Sequence, residues 1–459
     1  MTTAMKLSTS AKLFGTDGIR GEAGQFPLDK ATIPAIGASF AQIMKRMLGR
    51  EPRFVIGRDT RESGDWIENA FSAGATRGGA VCRSAGVMTT PGVAFVTDKF
   101  DFDAGIVISA SHNPFHDNGI KIFARGGKKV DESIEKAIEV DIASFRANGK
   151  DNGSVPFTAA LSADPGLGAA YIEHLAGSFS DLDLSGVRII TDCANGAASL
   201  LAPLLFRELG AEVTALNDAP DGRNINLNCG SLHLEQLQEA VTDQAADMGI
   251  AFDGDADRSL FVDHTGAIVD GDATLWVLAQ MMADSGKLAN HKVVATVMSN
   301  IGLEAALKTR DIELIRSNVG DKHVLESLLN TGSELGGEQS GHIIIPERGL
   351  AGDGMMTALY VLESMKERVA RLADLVEGFE RFPQILVNVR VGEKKPFAEV
   401  PEIELAVGDT EEKLGDSGRL LLRYSGTENL ARVMIEGKDQ AEINELAGDL
   451  AQVISDSLG

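Results

Sequence analysis

Two distant stretches of this chain begin alike and end in polar groups. Asp103-Ala104-Gly105-Ile106-Val107-Ile108 runs into Ser109-Ala110-Ser111-His112-Asn113-Pro114. Asp247-Met248-Gly249-Ile250-Ala251-Phe252 runs into Asp253-Gly254-Asp255-Ala256-Asp257-Arg258. Each opens as a short apolar run bounded by turn residues, which reads as a buried strand. A third round starts at Lys292-Val293-Val294-Ala295-Thr296-Val297 and reaches Gly337-Glu338-Gln339-Ser340-Gly341-His342. Repetition constrains the fold strongly, because each copy must supply its own strands and covering helices.

The segments between fit that reading. Ile33, Ile36, Phe40, Ile43 and Met47 recur at three- and four-residue steps, as do Ile134, Ile138 and Ile142, so both stretches are amphipathic helices. Phe54–Gly57 and Val187–Asp192 read as strands, and Asp65–Gly79 as a helix. This alternation describes a mixed or parallel sheet covered by helices. The tail differs. Ile385, Val387, Val389 and Val391 alternate with more polar residues, Leu420–Arg423 and Ala431–Ile435 flank a polar loop, and Ile443, Leu446, Leu450 and Val453 mark a closing helix. The expectation is α/β: three similar mixed α/β domains over 1–158, 159–262 and 263–379, plus a smaller C-terminal α+β domain over 380–459. The last is joined through a hinge near Phe379–Pro383.

A length of 459 residues exceeds what one core supports. The net charge of −24 argues against a nucleic-acid or anionic-membrane partner. A phosphate ligand would therefore need its arginines and lysines clustered locally. Cys82, Cys193 and Cys229 form no CxxC pair, which suits reduced thiols. MTTAMKLSTSAKLFG lacks the apolar core of a signal peptide, and Ala273–Ala283 is too short to span a bilayer. The chain reads as a soluble, cytoplasmic protein.

Four polar loops carry the chemistry. In the first, Pro114 keeps Asn113 out of helix, so Ser111 and His112 sit on a stiff extended loop; the plain alternative is a Ser/Asn/Pro turn. In the second, Asp253, Asp255 and Asp257 repel one another unless a cation lies between them, and all-oxygen ligation suits Mg²⁺. Arg258 and His264 exclude an EF-hand by occupying its sixth and twelfth positions. Arg258 is placed to hold a phosphoryl group; the plain alternative is an acidic capping turn. The third offers Glu338, Ser340 and His342 to sugar hydroxyls. The fourth, Arg423-Tyr424-Ser425-Gly426-Thr427-Glu428-Asn429 with Arg432 beyond, makes a phosphate cradle or an ordinary hairpin. Lys121 reads as a proton acceptor, a phosphate partner or an ordinary exposed lysine, and His112 as catalytic or as a satisfied loop histidine.

FGTDGIRG, SASHNP with DNGIK after it, FDGDADR, GGEQSGH and RYSGTEN, in that order over nearly the whole chain, resemble the α-D-phosphohexomutase family. Gln339 and the stretch Asn224-Ile225-Asn226-Leu227-Asn228-Cys229-Gly230-Ser231 look like its bacterial amino-sugar branch. Two departures stand out: Ala256 replaces the usual glycine of the metal loop, and Leu232 stands where threonine is common.

The resemblance implies four domains around one central cleft and Ser111 as a phosphoserine. It implies one Mg²⁺ per chain held by Ser111, Asp253, Asp255 and Asp257. Glu338 and Ser340 would bind the sugar, with Arg258 on the phosphoryl group. Arg423, Ser425, Gly426, Thr427, Asn429 and Arg432 would hold the non-reacting phosphate. Arg20, Lys121 and His342 match positions linked to acid/base work or phosphoryl stabilisation, and His112 beside Ser111 is a further catalytic candidate. The implied reaction interconverts glucosamine 6-phosphate and glucosamine 1-phosphate through a hexose 1,6-bisphosphate intermediate, which also serves as activator, and feeds cell-wall precursor synthesis. The implied partner is a small sugar phosphate, and a homodimer is compatible with it. Two readings stay open beside this one. The first is a glucose- or mannose-phosphate mutase of the same family. The second is a Mg-dependent phosphatase using Asp253.

Overall fold

The computed structural model describes residues 12–15, 17–147, 160–425 and 428–459; the expected site residues Gly426 and Thr427 lie outside them, as does 148–159 of the first connector. Three of the four sheets share one plan. In the first, Val81–Val87, Arg53–Arg58, Ala104–Ile108 and Asp117–Ala124 lie side by side in that order. The second repeats it with Glu212–Leu216, Arg188–Asp192, Met248–Phe252 and Ser259–Asp263, and the third with Glu313–Ser317, Lys292–Thr296, Leu335–Gly337 and Ile343–Ile344. Each set pairs parallel, parallel, then antiparallel. The polar loops expected from the sequence are the turns of the antiparallel step in all three. They return as strands, not as helices.

Helices cover these sheets where the apolar spacing required them. Thr32–Leu48 buries Ile33, Ile36, Phe40 and Ile43, and its left-handed Gly49 donates its N–H to the Lys45 carbonyl to end it. Glu132–Ala147 buries Ile134, Ile138 and Ile142. Among the helices that the spacing did not single out is Thr90–Lys99, capped by the Thr89 hydroxyl and started by Pro91.

One continuous apolar core runs through the first three sheets, from Val55 and Val93 through Ile189 and Phe252 to Trp276 and Met355. The C-terminal sheet, Gln384–Arg390, Leu430–Gly437 and Gly418–Tyr424, is antiparallel and closed by the helix Gln440–Leu458. Its core, centred on Val433, Ile443 and Leu450, is separate. Polar contacts join it to the third domain. Asn300 exchanges two hydrogen bonds with the Phe382 backbone and donates to Glu436 at 3.2 Å, while Arg419 donates to the Ser299 carbonyl at 3.0 Å. Among the described residues no helix is long and apolar enough to cross a membrane.

Candidate active site

The first two loops meet face to face. Ser111, 1 % exposed and held at φ 52°, donates its Oγ–H to Asp253 Oδ2 at 2.5 Å. Its backbone N–H donates to Ser109 Oγ at 2.9 Å, and Ser109 donates in turn to Asp59 at 2.7 Å. Gly254 permits the close approach, since a Cβ there would lie 2.5 Å from the Ser111 carbonyl oxygen.

Asp253, Asp255 and Asp257 are all buried, with one oxygen of each within 4.8 Å of the others. Lys121, also 1 % exposed, reaches Asp255 at 2.8 Å, Asp17 at 3.1 Å and Asp257 at 3.4 Å. It is therefore no exposed lysine. Burial works against its charge, yet the three carboxylates outweigh burial and hold its ammonium well above the ordinary range. Asp257 is held well below its usual value; burial opposes this, but Lys121, His342 and Arg258 prevail. Asp253 goes the other way, pushed well up by burial and by the charges of Asp257 and Asp255. Thr90, at the start of the helix Thr90–Lys99, donates its hydroxyl to Asp255 at 2.6 Å.

The donor set fits a hard divalent cation. Asp255 Oδ1 and Asp257 Oδ1 are buried with no hydrogen-bond partner among the described residues, so the triad keeps lone pairs that this protein leaves unfilled.

Arg258 lies across the same loops. Its Nη1 faces His112 Nδ1 at 3.3 Å, and that nitrogen also sits 3.3 Å from Ser111 Oγ. Burial, Arg258 and Arg20 push the His112 pKa down to about 4, so the ring is a neutral acceptor at pH 7. Arg20 pairs with Asp17, which also accepts from Lys129 at 2.8 Å.

The third loop places its residues differently from one another. His342 turns inward: Gly352 donates its N–H to His342 Nε2 at 3.2 Å, which fixes the proton on Nδ1, 3.6 Å from Asp257. Nδ1 faces Asp257 Oδ1 across an ion-pair distance, longer than a hydrogen bond, so that oxygen stays open. Glu338 accepts the Gly320 N–H at 3.0 Å, and Gly341, at φ 88°, fits where a Cβ would lie 2.2 Å from the Ser259 carbonyl. Ser340 lies in the same turn, half-buried. A cavity of about 920 Å³ is lined by Asp17 and Lys121 of the first domain, Asp257 of the second, and Asp321, Lys322 and His342 of the third.

The described part of the fourth loop makes contacts both within its own domain and to the third. Arg423 points an Nη2 at Met298 Sδ, 3.8 Å away, and Arg432 lies 3.8 Å from Glu428. Buried Ser425 pairs with Leu430, and Asn429 is exposed.

Sequence reasoning passed over Arg61 and gave Asn226 no role. Arg61, wholly buried with Asp59, donates Nη2 to the carbonyls of Ser111 at 2.9 Å and Asn113 at 2.8 Å. Asn226 Nδ2 donates to the same two oxygens at 2.9 and 3.1 Å.

Comparison with known proteins agrees with this geometry. Family models described as phosphoglucomutase/phosphomannomutase match alpha/beta/alpha domain I over residues 11–148, domain II over 169–266, domain III over 270–382 and the C-terminal domain over 386–453. The phosphoglucosamine mutase of Solibacter usitatus is 46% identical over 447 residues, 97% of this chain and 99% of its own. That of Nocardia farcinica is 46% identical over 458 residues, 97% of this chain and 99% of its own. Among solved structures, a phosphoglucomutase/phosphomannomutase family protein from Burkholderia thailandensis superposes with a TM-score of 0.78 at 24% identity, covering 97% of both chains. The Aspergillus fumigatus N-acetylphosphoglucosamine mutase, solved with GlcNAc-6P and magnesium, superposes with a TM-score of 0.67 at 19% identity, covering 97% of this chain and 96% of its own. These two show the shared fold.

Proposed function

The chain belongs to the phosphoglucomutase/phosphomannomutase family, and we propose that it interconverts glucosamine 6-phosphate and glucosamine 1-phosphate through a phosphoserine at Ser111. The observation that carries this reading is the Ser111–Asp253 hydrogen bond of 2.5 Å, made between two loops of separate domains. It puts a nucleophilic hydroxyl on a buried carboxylate cluster. Relatives 46% identical over nearly the whole chain act on glucosamine phosphate by name, which favours the amino sugar over glucose or mannose phosphates.

In the forward direction the phosphoryl group leaves Ser111 Oγ as the sugar's C1 oxygen bonds to phosphorus, and the C1 hydroxyl gives up its proton. The 1,6-bisphosphate then turns end for end. In the second half the Ser111 oxygen takes the phosphoryl group from O6, which regains a proton. The Ser111 Oγ–H already points at Asp253 Oδ2, the direction its proton must leave. Arg258 spans the loop with its guanidinium beside His112, where a phosphoryl group on Ser111 meets a fixed positive charge. His112, neutral, accepts and orients. His342 holds Asp257 in place, and Thr90 and Lys121 hold Asp255.

Asp253, Asp255, Asp257 and phospho-Ser111 would hold Mg²⁺, which when bound neutralises charge on the transferring phosphoryl group. Glu338 and Ser340 are the residues we assign to the sugar hydroxyls. The C-terminal loop, with Arg423, Ser425, Gly426, Thr427, Asn429 and Arg432, is assigned to the phosphate that does not react. A domain with its own core and polar joints can release and regrip that dianion while the sugar turns.

Side-by-side turnover of glucosamine, glucose and mannose 6-phosphates, with Mg²⁺ and a hexose 1,6-bisphosphate, tests the reading. Glucosamine 6-phosphate should show the highest kcat/KM. A clear preference for glucose or mannose would move the chain to another branch of the family.

A further inference from the structure

We infer that Asn226, in the second domain, is a positioning residue that fixes the nucleophile loop of the first domain; this rests on the phosphoserine reading above. The stretch Asn224–Ser231 touches none of the four loops' polar side chains in a way the mechanism uses, yet its Asn226 amide reaches Ser111 O at 2.9 Å and Asn113 O at 3.1 Å. Arg61 donates to the same oxygens at 2.9 and 2.8 Å. Each carbonyl thus receives one N–H donor from its own domain and one from the next, which fills both lone pairs.

That double saturation bears directly on Ser111. A left-handed serine lies above its ordinary conformation in energy, so its surroundings must hold it there. Pinning the Ser111 and Asn113 carbonyls fixes the backbone orientation of the segment between them, and with it the Oγ that meets Asp253.

The platform under Asn226 is itself specialised. Asn226 has φ 58°, and Ala194 and Asn195, which face it, have φ 53° and 49°. Its N–H donates to the Ala194 carbonyl at 2.9 Å, and Ala197 donates to the Gly254 carbonyl at 2.8 Å. The same platform therefore bonds to both the nucleophile loop and the metal loop.

The test compares Asn226→Gly with Asn228→Gly. Glycine accepts the left-handed backbone at either position, and Asn228, φ 53°, is exposed and makes no hydrogen bond to the Ser111 loop among the described residues. Turnover is measured with the sugar phosphate the wild type uses best, and phosphorylation of Ser111 by a hexose 1,6-bisphosphate is followed by intact mass and by the phosphoserine phosphorus resonance. Asn226→Gly, which loses both hydrogen bonds to the nucleophile loop, should lower kcat about tenfold or more. KM should stay within about twofold, and the phosphoserine resonance should shift or broaden. Asn228→Gly should leave all three unchanged. Wild-type kcat and resonance in Asn226→Gly, or equal losses in both variants, would overturn the inference while leaving the mutase reading intact. A wild-type protein that turns over none of the hexose phosphates would overturn the mutase reading, and this inference with it.

Discussion

Ala256 sits wholly buried in the middle of the metal loop at φ 56°, a conformation that favours glycine. A left-handed alanine lies about 1–2 kcal/mol above its right-handed form. Glycine would relieve that, but it would loosen the unfolded chain by about 0.5–1 kcal/mol and give up a buried methyl group worth about 0.8 kcal/mol. The terms nearly cancel. Ala256→Gly should therefore change stability by less than about 1 kcal/mol, whereas Ala256→Val, branched at a left-handed position, should lose far more; denaturant melts of both check this. Legibility at this scale followed chemistry. Ser111 and the three aspartates could be read because their loops directly follow buried strands and stand in one order with the other polar loops. Arg61 and Asn226 could not, because they act on backbone carbonyls, and a sequence does not show which carbonyl a side chain will find. His342 was legible as a site residue, but its inward turn depends on a backbone N–H ten residues away.

Among the elements, the repeated strand-to-loop pattern was readable, and the helix Thr90–Lys99 was not. Its apolar spacing is poor, although Thr89 followed by Pro91 is a start signal that composition alone carried. It matters because Thr90 anchors Asp255. A second helix start gives a prediction. Asp272, in the first turn of Gly271–Asp284, accepts the Asn300 N–H at 2.8 Å. Burial, followed by the neighbouring Asp270 carboxylate, lifts its pKa from the ordinary 3.8 to about 7. Because the folded value is the higher one, the stabilising contribution of its proton is complete below the ordinary aspartate range and is lost as pH rises through about 7. Asp272→Asn keeps an acceptor without the charge. Its melting temperature should decline less than that of the wild type between pH 4 and 7, and parallel curves would contradict this.

For the whole molecule, one apolar core runs through the first three domains beside smaller clusters within them, and the fourth keeps its own, so the clamp is packed apart from the reaction centre. The centre predicts a metal effect. Three buried carboxylates crowded together, two of them with an unpartnered oxygen, destabilise the metal-free protein, so Mg²⁺ should raise its melting temperature and chelation should abolish turnover. Metal-free Asp253→Asn should melt above the metal-free wild type and respond less to Mg²⁺; calorimetry with and without chelator distinguishes the cases. The clamp predicts that Arg423→Ala, by losing a charge-assisted contact worth about 1.5–3 kcal/mol, raises KM roughly 10- to 100-fold with a smaller change in kcat. The claim beneath both is that Ser111 carries the phosphate. The direct measurement is peptide mass mapping of the protein after incubation with a hexose 1,6-bisphosphate. One phosphoryl group should appear on the peptide containing Ser111, stable to hydroxylamine and missing from Ser111→Ala. A hydroxylamine-labile phosphate on Asp253, or no phosphate at all, would contradict the account.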